Sequence, residues 1–215
     1  HLYAGSSTEL TLNGQQVTLR QETRYPWDGH VTLAVEPAAP VQFTLRLRIP
    51  GWCKAPQASL NGETVDLGQH VEHGYLVLER TWQAGDVVTL ALPMPVERVY
   101  AHPAVGADVG QVALQRGPIV YCVEQTDVEG SVGGLALARA AELQAGDAPD
   151  LLGGVVTVSA PATTLDEADW NGVLYRTEPP RQVATRLRAI PYFAWDAREA
   201  GAMRVWLRES DTPAG

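Results

Sequence analysis

Apolar and polar residues alternate along much of this chain. Val41-Gln42-Phe43-Thr44-Leu45-Arg46-Leu47-Arg48-Ile49 does so without interruption, the period of a strand that buries one face and turns the other to water. Val31, Leu33 and Val35 precede it with the same spacing, and Leu76 and Leu78, then Val88, Leu90 and Leu92, follow it. Asn-Gly occurs in Leu12-Asn13-Gly14-Gln15 and again in Leu60-Asn61-Gly62-Glu63. Both central residues of a type I′ turn need positive φ, which Asn and Gly tolerate best, so each pair predicts a tight hairpin. No long segment carries a helical period. Short strands with closely spaced turn signals predict an all-β chain built as two consecutive antiparallel β-sandwich domains.

Leu92-Pro93-Met94-Pro95-Val96 marks the division, because two prolines remove donors from any ladder they enter. The pattern assigns residues 1–98 to the first sandwich and 99–209 to the second. Strands are expected at Gln111–Gln115 and Ile119–Val123 around an Arg116-Gly117-Pro118 turn, at Val155–Val158, and along the alternating Val183, Thr185, Leu187 and Ala189. Met203-Arg204-Val205-Trp206-Leu207 is expected to close the second sheet. Leu135 to Leu143 fits a short helix or two short strands, and periodicity does not choose between them. The polar residues 210–215 read as a frayed tail. His1-Leu2-Tyr3 reads as mid-strand, as if the sequence began partway through a longer protein.

Composition narrows the function classes. Of 215 residues, 45% are hydrophobic and 19% charged, a balance that supports packed cores. Lys and Arg total 16 against 25 Asp and Glu, a formal charge of -9; nucleic acids and anionic membranes, which select basic surfaces, are not expected partners. No apolar run reaches the ~18 residues of a membrane span. Two cysteines, Cys53 and Cys122, are too few for a disulfide framework or a four-thiolate zinc site. Unpaired, they tilt the compartment toward the cytoplasm without fixing it.

Candidate chemistry is sparse. There is no nucleophile elbow, phosphate loop or dinucleotide fingerprint. His70-Val71-Glu72-His73 has a metal-like spacing, but it precedes a strand, where residues three apart face opposite ways, so a turn with solvated histidines is expected. Asp166-Glu167-Ala168-Asp169 has carboxylates but not the spacing of a calcium loop, and reads as a solvated acidic turn. Neither cysteine has a visible base or helix terminus to lower its pKa, so both are expected in cores. No catalytic and no metal-binding residue is assigned. Six tryptophans remain to be explained. Tyr25-Pro26-Trp27-Asp28-Gly29, Trp52 and Asp169-Trp170-Asn171-Gly172 are loop aromatics beside polar groups, suited to stacking on a sugar ring or to docking; packing in a core or between domains is the alternative. Tyr25, Trp27, Trp52 and Trp170 are therefore the candidate sugar or barrel contacts.

An ordered series of phrases resembles the C-terminal region of glycoside hydrolase family 127, the β-L-arabinofuranosidase-type enzymes. It begins with His1-Leu2-Tyr3-Ala4-Gly5-Ser6 and Arg48-Ile49-Pro50-Gly51-Trp52, and passes through Gly74-Tyr75, Arg80-Thr81-Trp82 and Gly85-Asp86 to Leu92-Pro93-Met94-Pro95. Val112 to Cys122, Ile190-Pro191-Tyr192-Phe193-Ala194-Trp195 and Met203 to Leu207 complete it. The resemblance implies an (α/α)6 catalytic barrel followed by two β-sandwich domains. It implies a zinc-bound cysteine nucleophile in a Cys-Cys-Pro-Pro phrase and a glutamate acid/base, all on the barrel, upstream of the region matched. No adjacent cysteines occur here, and Cys53 and Cys122 match no part of that phrase, so no cofactor is expected in this chain. The expected role is a non-catalytic accessory region that supports the upstream barrel and shapes the rim of its cleft. The rival expectations are an independent carbohydrate-binding module and a self-association domain that forms a homodimer.

Overall fold

In the computed structural model, residues 2–168 and 170–211 are described. The chain divides between Pro95 and Val96 into two compact units. The first contains β1 (Ser6–Leu12), β2 (Gln15–Thr23), β3 (His30–Pro37), β4 (Val41–Arg48), β5 (Gln57–Leu60), β6 (Glu63–Thr64), the single turn α1 (Leu67–His70), β7 (Val71–Glu72), β8 (Tyr75–Trp82) and β9 (Asp86–Ala91). They form one sheet in the order β1-β2-β3-β9-β5-β6 and another in the order β4-β8-β7, all antiparallel. The alternation has its expected consequence: Val31, Leu33 and Val35 of β3 and Val41, Leu45 and Leu47 of β4 are buried in one shared cluster with Trp82 and Leu90. Both Asn-Gly pairs are the two-residue turns their chemistry predicts, with Asn13 and Asn61 at φ 48° and 53° and their glycines also left-handed.

Two details of this unit explain residues the pattern left silent. Asp86 is buried where β9 starts, accepting hydrogen bonds from Asn61 Nδ2 at 2.7 Å and the Gln83 amide at 2.8 Å. Asn61 Oδ1 in turn accepts from the Val87 amide at 2.8 Å, so the turn asparagine ties one hairpin to the next strand. Burial pushes the Asp86 carboxyl up, but those two hydrogen bonds and the nearby Arg80 outweigh it and hold it below the usual range. At Gly29, a Cβ would lie 1.8 Å from the Leu92 carbonyl oxygen, so only glycine lets these two backbones meet.

The second unit contains β10 (Val96–Val99), β11 (Gln111–Arg116), β12 (Ile119–Glu124), β13 (Ala136–Ala138), β14 (Gln144–Ala148), β15 (Val155–Leu165), β16 (Gln182–Pro191), β17 (Met203–Arg204) and β18 (Leu207–Ser210). Val96–Val99, read from sequence mostly as the end of the first unit, pairs with β11 in the second. The expected second sandwich is corrected here. β11, β18, β13, β15, β16 and β12 each pair with the next, and β12 returns to β11, which makes a closed six-stranded barrel. Alternation reports which face of a strand is buried and carries no information on whether the two ends of a sheet meet. Closure also needs a parallel pair, β13 with β18, which an antiparallel reading omits. The expected strand over 203–207 is broken at Val205-Trp206. Its first part pairs with β12 and its second with β11 and β13, so the break sends the chain across to complete the ring. Residues 135–143 yield one short strand, β13, in place of a helix or two strands.

No helix is long and apolar enough to cross a membrane, among the described residues.

Candidate functional site

The aromatic candidates of the first unit come together in part. Tyr25 and Trp52 stack at 6.5 Å between ring centroids, and Tyr3 meets Tyr25 edge-on at 5.8 Å. Tyr3 donates its hydroxyl to the Arg48 carbonyl. Burial raises the Tyr25 phenol's pKa, and a hydrogen bond from Trp52 partly offsets that. Tyr25 and Trp52 are half-buried against the apolar cluster, so their faces serve largely to cover it. Trp27 is half-buried in the adjoining turn, whose ends are tied by its amide to the Arg24 carbonyl at 2.8 Å and by the exposed Arg24–Asp28 ion pair at 3.0 Å.

Trp170 stands in the barrel unit. Asn171 and Gly172 are left-handed, and the Val173 amide closes the tight turn on the Trp170 carbonyl at 2.8 Å. The Arg176 guanidinium lies over the Trp170 ring at 4.1 Å, covering one face with a cation. A pocket of about 490 Å³ adjoins it, lined by Leu165, Trp170, Val173, Leu174 and Pro180. Of the acidic stretch, Asp166 is held by Arg181 at 2.6 Å and by the Ala168 amide at 3.0 Å. The amide first, then the guanidinium, keep its carboxyl below the ordinary range. Asp169 lies outside the described residues, as do 212–215 of the polar tail.

His70 ends α1, and His73, at φ 50°, begins the two-residue turn between β7 and β8. Both rings are exposed. Cys53 and Cys122 are buried thiols, one in each unit. Burial raises both; with Glu124 nearby, Cys122 is pushed up to about 12. A thiol so reluctant to ionise is a poor nucleophile. No group of three or more His, Cys, Asp or Glu side chains is arranged to hold a metal among the described residues.

One group was not singled out from sequence. Glu124, at the end of β12, and Asp127, in the 3-10 turn after it, are both buried and both paired with Arg198. Arg198 Nε reaches Glu124 at 2.9 Å and Nη1 reaches Asp127 at 3.1 Å, while Arg188 of β16 donates its Nε to Asp127 at 2.7 Å. The four residues are spread over the chain, so their spacing carried no signal. The loop they hold displays Tyr192, Phe193 and Trp195, three aromatics in four residues, and that density was the clue available.

Comparison with known proteins places these units. Residues 1–94 match the family model described as beta-L-arabinofuranosidase, GH127 middle domain, and residues 96–208 match the glycoside hydrolase family 127 C-terminal domain. The chain belongs to glycoside hydrolase family 127. It is 39% identical over 203 residues to the non-reducing end beta-L-arabinofuranosidase of Bifidobacterium longum, a match that covers 89% of this chain and 30% of that protein. The crystal structure of a family 127 beta-L-arabinofuranosidase from Geobacillus stearothermophilus superposes with a TM-score of 0.91 at 50% identity, over 98% of this chain and 33% of that one. A second family 127 beta-arabinofuranosidase gives 0.86 at 35% identity, over 97% and 34%. The chain thus spans about a third of the length of these relatives.

Proposed function

We propose that this chain is the non-catalytic accessory region of a family 127 enzyme of the β-L-arabinofuranosidase type, supporting a helical catalytic barrel and the rim of its sugar cleft. The observation that carries the reading is the pair of family matches, which fill the chain with a middle and a C-terminal domain. The two buried, weakly acidic thiols favour it as well. Strands joined by tight turns and tied by buried ion pairs make a stiff support. The exposed Val173, Leu174 and Tyr175 of the barrel unit, at 54%, 81% and 90%, offer apolar surface to a docked wall. Such burial contributes about 25 cal/mol per Å².

The test is hydrolysis by the purified 215-residue chain. Incubated with a synthetic β-L-arabinofuranoside, it is expected to release no arabinose above the enzyme-free rate. Release that vanishes in Cys53→Ala or Cys122→Ala would overturn the reading.

A further inference from the structure

Two stretches of the barrel unit leave large apolar side chains in water, and they are held very differently. Val173-Leu174-Tyr175 follows a tight turn and leads into Arg176, whose guanidinium lies over the Trp170 ring. Tyr192–Ala194 is a 3-10 turn directly after β16 with Trp195 at its C-cap, and an ion network fastens Asp196 and Arg198 just beyond it. Tyr192, Phe193 and Trp195 are 46%, 68% and 43% exposed. The Tyr192 and Trp195 rings lie parallel within 2°, with centroids 6.2 Å apart.

The fastening is unusual in kind. Asp196, next to Trp195, has a left-handed backbone at φ 65°, which an L-residue adopts at a cost. Its amide is fixed by donating to Glu124 Oε1 at 3.0 Å. The other Glu124 oxygen and both Asp127 oxygens take Arg198, two residues further along the same loop. Side chains of Glu124 and Asp127 are 5% and 0% exposed. Desolvating such charges offsets most of what their attraction returns, so an apolar cluster would stabilise the fold at least as well. What the ion network supplies instead is position. It fixes the backbone at 196 and 198 and so the aim of the rings just before it.

We propose that the Tyr192–Trp195 turn is a glycan-binding platform that takes the C–H face of an arabinofuranosyl ring on the outward face of its stacked aromatic pair. An aromatic face carries the negative part of the ring quadrupole, which attracts the polarised C–H bonds of a sugar. The exposed Asp196 carboxylate, adjacent to Trp195, is an acceptor for sugar hydroxyls. Stacking on a fixed platform avoids the cost of ordering a loop on binding. The arabinose class of the ligand rests on the reading given under Proposed function, and the platform would place substrate chains on the accessory region, away from any bond cleavage. Glu124, Asp127 and Arg198 act as positioning residues.

The experiment is a nuclear magnetic resonance titration of the intact chain with methyl β-L-arabinofuranoside and with an L-arabinofuranosyl oligosaccharide, following the Trp195 indole N–H. A saturable shift is expected, tighter for the oligosaccharide. Trp195→Ala and Tyr192→Ala should each weaken binding about tenfold, the worth of one lost ring contact, while each lowers thermal unfolding by no more than the loss of their mutual stacking and leaves the unit folded. Trp170→Ala should leave the affinity as it was. Arg198→Lys keeps the charge, loses the fork and should weaken binding with both rings present. No saturable shift up to the solubility of the sugar would overturn the proposal, and so would a shift that survives Trp195→Ala. Concentration-dependent self-association abolished by Trp195→Ala would overturn it too, making the patch a contact with a second copy. Free arabinose in the sample would count against the accessory reading alone, since the platform is judged on the indole shift.

Discussion

The two units solve the problem of polar groups in a β core in opposite ways. In the two-sheet unit the buried carboxylate, Asp86, is satisfied mainly by neutral donors, Asn61 and the Gln83 amide, and it fixes a turn. The aromatic candidates there lean on one another and on the core. In the barrel unit, Glu124 and Asp127 are buried against full guanidinium charges, and Arg98, Arg139 and Tyr100 converge on Glu209. Hydrogen bonds to neutral groups organise local geometry at small net gain, whereas buried ion pairs hold distant segments in one arrangement. The first unit thus reads as a brace, and the second as a mount for its own loops.

The sharpest way to break this contrast is Asp127→Ala, which leaves Arg198 paired with Glu124 alone and takes from the half-exposed Arg188 its carboxylate partner. Losing hydrogen bonds to a charged group costs about 1.5–3 kcal/mol. Denaturant unfolding followed by hydrogen exchange should show that loss in peptides of residues 119–127 and 182–191, with those of β3 and β9 unmoved. A loss shared equally by both units would remove the distinction. Gly29→Ala is the counterpart in the first unit. Its Cβ meets backbone, which cannot rotate away, and overpacking of this kind costs about 1–3 kcal/mol; the exchange of β9 should rise while the barrel stays protected. The smallest effect is acid sensitivity. Because the Asp86 carboxyl is held below its ordinary 3.8 in the folded chain, its contribution is whole above that value and is lost as the pH falls through the lower folded one. Asp86→Asn should flatten that acid loss in the two-sheet unit only, since Glu209 of the barrel unit is also depressed, by Arg139 and Tyr100 against its burial, and keeps its own.

Legibility in the sequence followed the range of the interaction. The strand faces of 31–35 and 41–47 and the turns at Asn13 and Asn61 depend on neighbours a few residues away, and the pattern predicted them. The barrel did not announce itself: the β11–β12 hairpin was legible from its turn, but the β12–β16 and β13–β18 pairings that complete the ring join distant segments by hydrogen bonds between backbones, which every sequence possesses. The turn at His73-Gly74 has the same left-handed geometry as the Asn-Gly pairs, yet histidine suggested metal chemistry first. Tryptophan count drew attention to Trp27, Trp52 and Trp170. What distinguishes Trp195 is the ion network that fixes the residues just after it, contributed by residues 124, 127, 188 and 198, a constellation that only the fold assembles.

Strand β18 follows every other member of the ring in chain order and sits between β11 and β13. During synthesis, therefore, the edge of β13 and the Gln111–Val112 end of β11 wait for this partner until Leu207–Ser210 leaves the ribosome. An unpaired edge is where chains join wrongly, so a stop codon after Trp206 should give a protein that clumps in the cell although every other strand of the ring has been made.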